Sequence, residues 1–139
     1  MPTILFIIPL TVIPLILCNI IGWTAGAAVW DSVLFTMPMI SGARWAFTVR
    51  DLMLIFGLAC LYFEVLKSTS SSSRAIINHS LSTVVLIVFL IEFLVVPFAA
   101  HSVFFILTLM ALFDVVAGFS ITIKAARRDL ALGQGESAN

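Results

Sequence analysis

Long apolar runs separated by short polar segments dominate the chain and predict a bundle of membrane-spanning helices. An α-helix needs about 20 predominantly apolar residues to cross a bilayer. The predicted spans cover residues 4–22, 44–67, 76–98 and 103–123. The pattern therefore indicates an all-α integral membrane protein with four transmembrane helices in one domain over residues 1–128, followed by a flexible tail over residues 129–139.

The first apolar run has two possible interpretations. AGAA at 25–28 is typical of a signal-peptide cleavage site, but MPT at the start carries no positive charge. The run is also longer than the usual apolar region of a signal peptide, about 7–15 residues. We therefore expect a retained span, bent by Pro9 and Pro14 because each removes a backbone donor.

The start of the second span is ambiguous, since Leu52–Leu66 alone is short for a bilayer. Extending it back to Arg44 and forward to Lys67 gives a full-length helix. Residues 23–43, which precede it, are apolar but too few for two further spans. We expect a short interfacial helix or a re-entrant segment from about Asp31 to Met39, with Asp31 as a candidate N-cap; an unstructured apolar loop is the alternative.

Composition supports a membrane location and argues against several functions. The chain is 62% hydrophobic and 10% charged, with a mean hydropathy of +1.21 and zero net charge. Soluble domains carry about 25% charged residues, and a nucleic-acid partner would require a positive surface. Cys18 and Cys60 form no CxxC pair, and neither histidine lies in a cluster with metal-ligand spacing. We expect no metal and no cofactor.

Basic residues in short loops favour the cytoplasmic side of a membrane. Those that follow the second and fourth predicted spans are Lys67, Arg74, Lys124, Arg127 and Arg128. Two spans separate the two groups, so both can be cytoplasmic, and both termini then lie inside. The first external connection or its flanks contain all three tryptophans, Trp23, Trp30 and Trp45, which we expect to anchor the chain in the headgroup layer.

Charged residues inside apolar spans are the best indication of function, because burying a charge in a bilayer is costly. With the second span starting at Arg44, Arg50 lies about 9 Å inside it at 1.5 Å per residue. Glu92 lies at a similar depth in the antiparallel third span. We therefore predict an Arg50–Glu92 ion pair. Glu64 and Lys67, at i and i+3, are expected to form a local, partly solvated pair.

Asp114 lies near the middle of the fourth span and has no basic residue at comparable depth. It is expected to be protonated, hydrogen-bonded to a neighbour such as Asn19 or Thr108, or paired with another chain. Small residues on the inward helix faces are expected to allow close packing. These predicted packing residues are Gly57, Cys60, Ala111 and Gly118.

Three function classes fit these features to different degrees. The favoured one is an accessory, structural or assembly subunit of a larger membrane complex, which needs helix packing but no chemistry of its own. The alternative is a small oligomeric proton- or cation-coupled transporter that uses Arg50, Glu92 and Asp114. A membrane enzyme is the weakest, because no catalytic cluster is evident. Expected partners are lipids and other membrane subunits or further copies of the chain, and small size with basic-residue asymmetry favours the bacterial inner membrane.

Overall fold

The part of the chain that the structure describes contains four α-helices and one β-hairpin, which confirms a mostly helical fold. The computed structural model describes residues 8–68 and 73–136, and the side chains of 8–68 and 76–128. The helices are α1 (Val12–Ala25), α2 (Val49–Ser68), α3 (Ser73–Val95) and α4 (Ser102–Glu136). Short 3-10 turns at Ala27–Asp31 and Pro97–Ala99 follow α1 and α3.

Two of the described helices are long and apolar enough to cross a membrane. They are α3 over Ile76–Val95 and α4 over Ser102–Arg128, close to the third and fourth predicted spans. The 14 residues of α1 are apolar but too few, and residues 4–7 of the first predicted span lie outside the described part. The 20 residues of α2 include four charged ones, two near each end.

The connection between α1 and α2 is a β-hairpin, so the predicted interfacial helix at Asp31–Met39 is wrong. Strand β1 (Val33–Pro38) pairs antiparallel with β2 (Arg44–Thr48). Phe35 and Phe47 stack across the pair with ring centroids 4.8 Å apart. Gly42 in the loop has φ +84°, a conformation that favours glycine. Most residues in this segment are large, β-branched or aromatic, and such residues suit strands better than a helix.

Helix α2 begins at Val49 rather than Arg44 because a capping box fixes its start. The Thr48 amide donates to the Asp51 carboxylate at 2.8 Å, and the Asp51 amide donates back to the Thr48 hydroxyl at 3.4 Å. This reciprocal pair satisfies two amides at the helix start. The predicted extension of the second span to Arg44 is therefore wrong, and Arg50 lies in the first turn.

Helix α1 begins at Val12, with Thr11 at the N-cap position. Pro9 precedes the helix, and Pro14 lies in its first turn, where a backbone N–H has no partner within the helix. Neither proline interrupts the helical hydrogen bonds, which removes the predicted cause of a bend.

The core lies where α4 packs against α3 and α2. Phe89 of α3 meets Phe104 of α4 edge to face, with centroids 5.3 Å apart. Gly57 of α2 faces Leu107 so closely that an added Cβ would lie 2.3 Å from Leu107 Cδ2. Helix α4 continues to Glu136, well into the segment expected to be a flexible tail.

Candidate functional site

Glu64 is the most completely buried acidic residue among those described, with 0% of its side chain exposed. It follows Met53, Gly57 and Cys60 on the inward face of α2, at the spacing that places residues on one side of a helix. Burial of a charged carboxylate is costly unless donors surround it. The predicted i, i+3 pair with Lys67 is confirmed, but Glu64 is fully buried rather than partly solvated.

Three donors surround the Glu64 carboxylate. Lys67 Nζ donates to Oε2 at 3.0 Å, and the Leu10 amide donates to the same oxygen at 2.7 Å. The Asn78 amide nitrogen on α3 donates to Oε1. Lys67 also donates to the Ile8 carbonyl at 2.9 Å, and 14% of its side chain is exposed. Together the contacts join α2, α3 and the segment before α1.

The beginning of α1 points at the buried acids. Thr11 does not cap its own helix with its side chain; its hydroxyl donates to Asp114 Oδ2 at 3.3 Å. The Leu10 amide reaches Glu64 instead. Because the N-terminus of a helix carries partial positive charge, it stabilises negative groups placed beside it.

Asp114 on α4 is 1% exposed. Of its two oxygens, Oδ2 accepts from Thr11, whereas Oδ1 meets no hydrogen-bond partner among the described residues. The Ser82 hydroxyl lies beside this carboxyl but is outside hydrogen-bond geometry. Asn19 and Thr108, the neighbours expected from the sequence, bond elsewhere: Thr108 donates to the Phe104 carbonyl at 2.8 Å.

His79 completes the group. Its ring lies against Gly118, where an added Cβ would be 2.3 Å from Nδ1, and it meets the Phe119 ring at 6.0 Å. Within the described ranges, neither ring nitrogen has a hydrogen-bond partner although the side chain is 1% exposed. We call the whole group the inner polar cluster; its members are Thr11, Glu64, Lys67, Asn78, His79, Ser82 and Asp114.

The members lie in one layer of the bundle. Distances follow from 1.5 Å of rise per residue, counted from the helix end nearer the hairpin. Glu64 lies about 22 Å along α2 from Val49, and Asp114 about 18 Å along α4 from Ser102. Ser82 lies about 20 Å along α3 from Val95. The cluster is therefore well removed from the hairpin end of the bundle.

The predicted Arg50–Glu92 ion pair is wrong. Arg50 pairs with Asp31 at the hairpin end of the bundle, where both side chains are partly exposed. Glu92 is half-buried and accepts from Asn19 Nδ2 at 2.6 Å. The start of α2 at Val49 explains the difference, because it places Arg50 at the helix end rather than inside the span.

Other predicted site residues occupy varied positions. The four predicted packing residues, Gly57, Cys60, Ala111 and Gly118, all lie in the interior.

The predicted membrane anchors differ in exposure. Trp23 is 75% exposed and Trp45 is also exposed, as expected of surface anchors, but Trp30 is 2% exposed and packs beside His101. Lys124, Arg127 and Arg128 are exposed on α4, while the Arg74 side chain lies outside the described part.

Sequence reasoning missed Asn78, His79 and Ser82 as site residues and misread Glu64. Asn78, Ser82, Val85 and Phe89 are buried at i, i+4, i+7 and i+11 on α3, so a helical wheel places the polar residues on the core face. The position of these polar residues on the core face is the sequence signal that indicates a buried polar site. The T-V-R-D motif at 48–51 similarly indicates the capping box that sets the start of α2.

The inner polar cluster can hold protons or water but offers no metal site. Among residues 8–68 and 76–128, no group of three or more His, Cys, Asp or Glu side chains could hold a metal ion. Both cysteines are buried free thiols. What the cluster does contain is two buried carboxyls, one ammonium and several polar atoms without partners.

Comparisons of the chain with protein-family models, with curated proteins and with solved structures found no match.

Proposed function

We propose that the chain is a multi-pass membrane protein that acts as an accessory or assembly subunit of a larger membrane complex. The four predicted spans would each cross the membrane with both termini in the cytoplasm, as the basic residues that follow the second and fourth of these spans favour. Helix α2 has 20 residues, about 30 Å of helix, which matches a bilayer core. The small size of the chain and the asymmetry of its basic residues favour the bacterial inner membrane.

Outward apolar surface on all four helices supports the membrane location. Exposed apolar residues include Ile16 on α1, Leu58 on α2, Ile87 on α3 and Val116 on α4. Apolar patches of this extent are rare on soluble monomers. Lipid tails or neighbouring membrane helices would cover them.

The hairpin is the observation that carries the subunit proposal. Every residue of β1 is exposed, and apolar side chains such as Leu34, Phe35 and Met37 alternate between its two faces. A lone two-stranded hairpin is marginally stable in water. It cannot enter the hydrocarbon layer, because its outer backbone groups would lack partners there. A second protein at the membrane surface would cover both faces and pair with a free edge.

Co-purification with matched hairpin variants tests this proposal. The tagged chain is extracted from its native membranes in mild detergent, alongside Leu34→Ser/Ile40→Ser and the apolar control Leu34→Val/Ile40→Val. We expect a defined set of membrane proteins to accompany the wild type and the control, and to be depleted at least tenfold with the serine variant. The proposal is wrong if the chain purifies alone or if the serine variant keeps the same partners.

A proton- or cation-coupled transporter is the second candidate, and the inner polar cluster is the observation that favours it. Intramembrane ionisable residues commonly mark transport paths. The acids concerned would be Glu64 and Asp114, rather than the predicted set of Arg50, Glu92 and Asp114. Proton-dependent flux in vesicles reconstituted with the purified chain, lost in Asp114→Asn, would favour this candidate over the subunit role.

A further inference from the structure

The inner polar cluster contains more acidic than basic groups. Glu64 and Asp114 are both almost fully buried, and within the described ranges Lys67 is the lysine or arginine that pairs with Glu64. If both carboxyls were ionised, one negative charge would remain uncompensated in the interior. A buried charge without a counter-charge is costly enough that the group usually neutralises instead.

The hydrogen bonds distinguish the two carboxyls. Glu64 receives three short hydrogen bonds, from the Lys67 ammonium and from the Leu10 and Asn78 N–H groups. Asp114 receives one long bond from Thr11, and its Oδ1 is bare of partners among the described residues. Donors stabilise the ionised form of a carboxyl. Asp114, which has fewer donors than Glu64, is therefore the group that takes up a proton.

We propose that the inner polar cluster holds one exchangeable proton on the Asp114 carboxyl. The unpartnered polar atoms support this assignment, because acceptors outnumber donors among them. Asn78 Oδ1 can only accept, and Asp114 Oδ1 can only accept when ionised. Protonation turns the bare Asp114 oxygen into a donor beside the Ser82 hydroxyl. One proton thus supplies both the missing charge and a missing donor.

Groups from three elements face Asp114. The segment before α1 contributes the Thr11 hydroxyl, α2 contributes Glu64 and Lys67, and α3 contributes Ser82. The His79 ring lies against Gly118, four residues after Asp114 on α4. His79 is the competing site for the proton. A charged imidazolium would bury two N–H donors that meet no acceptor within the described ranges, against Gly118 and Phe119. Asp114 is the better site, since its protonation removes a buried charge rather than creating one.

Infrared spectroscopy of the purified full-length chain in lipid nanodiscs at pH 7 tests the proposal directly. A protonated carboxyl gives a carbonyl stretching band that neither a carboxylate nor an imidazolium gives. We expect one such band in the wild type, with a shift to lower wavenumber in D2O that shows exchange. Asp114→Asn should abolish it, and the control Glu92→Gln should retain it, because Glu92 bonds to Asn19 outside the cluster.

A second measurement uses the wild-type chain, so it does not depend on whether a variant folds. Labelling with [4-13C]aspartate should shift the carboxyl band, whereas a band from a glutamic acid would not move. Lys67→Met should add a second band, because Glu64 then loses its counter-charge. Absence of the band, its persistence in Asp114→Asn, or its insensitivity to the aspartate label would each overturn the proposal. The measurement needs no partner protein, so its outcome is independent of the subunit role.

Discussion

Replacing Glu64 by leucine should destabilise the chain by about 3–5 kcal/mol, the usual cost of removing one partner from a buried ion pair. The side chain is 0% exposed, so water cannot take its place. The change removes the carboxylate that accepts from the Lys67 ammonium, the Leu10 amide and the Asn78 amide nitrogen. Leucine roughly conserves volume, so the loss reflects those donors rather than a cavity.

A double-mutant cycle separates the ammonium from the two neutral donors. Lys67→Met in the Glu64→Leu background removes the uncompensated charge, so the double variant should be more stable than the sum of the two single losses predicts. Groups in direct contact couple by about 0.5–3 kcal/mol. Because 14% of the Lys67 side chain is exposed, part of its charge is solvated, and we expect the middle of that range.

Equilibrium unfolding in mixed detergent micelles, followed by far-ultraviolet circular dichroism, measures these free energies. Asp31→Ala is the matched control, since it breaks a partly exposed ion pair with Arg50 and should cost no more than about 1 kcal/mol. The reasoning is refuted if Glu64→Leu costs no more than Asp31→Ala, or if the two changes in the cycle are additive.

Three further outcomes follow from the packing, the capping box and the proposed topology. Thr48→Ala should lower stability in the same unfolding assay by about 0.5–2 kcal/mol through loss of the N-cap; an unchanged midpoint would contradict it. Gly118→Ala should cost about 1–3 kcal/mol, because its Cβ would meet the rigid His79 ring; a stabilised variant would show that the ring moves freely. In a cysteine-free background, Ile40→Cys should react with an impermeant maleimide on intact cells, and Lys124→Cys only after permeabilisation; equal labelling would exclude opposite sides.

The sequence pattern predicts α3 and α4 well because their apolar runs exceed the length of a span and contain few charges. The predicted limits of 76–98 and 103–123 overlap Ser73–Val95 and the first two thirds of Ser102–Glu136. Long, uninterrupted apolar runs leave the chain few alternatives, since backbone polar groups must be satisfied within the helix.

The sequence does not predict the hairpin when the second span is lengthened to match the thickness of a bilayer. In this segment the local turn and strand signals decide the structure instead. Extending the second span to Arg44 gave it the length of a bilayer, but Thr48 and Asp51 close a capping box that ends that extension. The same error moved Arg50 inward and produced the incorrect pairing with Glu92. Ser41-Gly42 between two strand-like runs was the local signal for a hairpin.

The inner polar cluster could be predicted only in part. Asp114 stood out because it is alone in its span, and the inward face of α2 could be read from periodicity. The role of Glu64 could not, because its burial depends on Leu10 and Asn78, which are 54 and 14 residues away along the chain. Sequence spacing identifies Lys67 as a neighbour, whereas long-range donors emerge only when the helices pack.

The contacts of Leu10 and Thr11 have a consequence for the order of assembly. Both lie before α1, yet their polar groups bond to Glu64 on α2 and to Asp114 on α4. The beginning of α1 is synthesised before either acid. In a membrane, the Leu10 amide and the Thr11 hydroxyl would be unfavourable until Glu64 and Asp114 are in place to accept their hydrogen bonds. We therefore expect α1 to be the last of these helices to dock, so that completion of α4 triggers the closing step of folding.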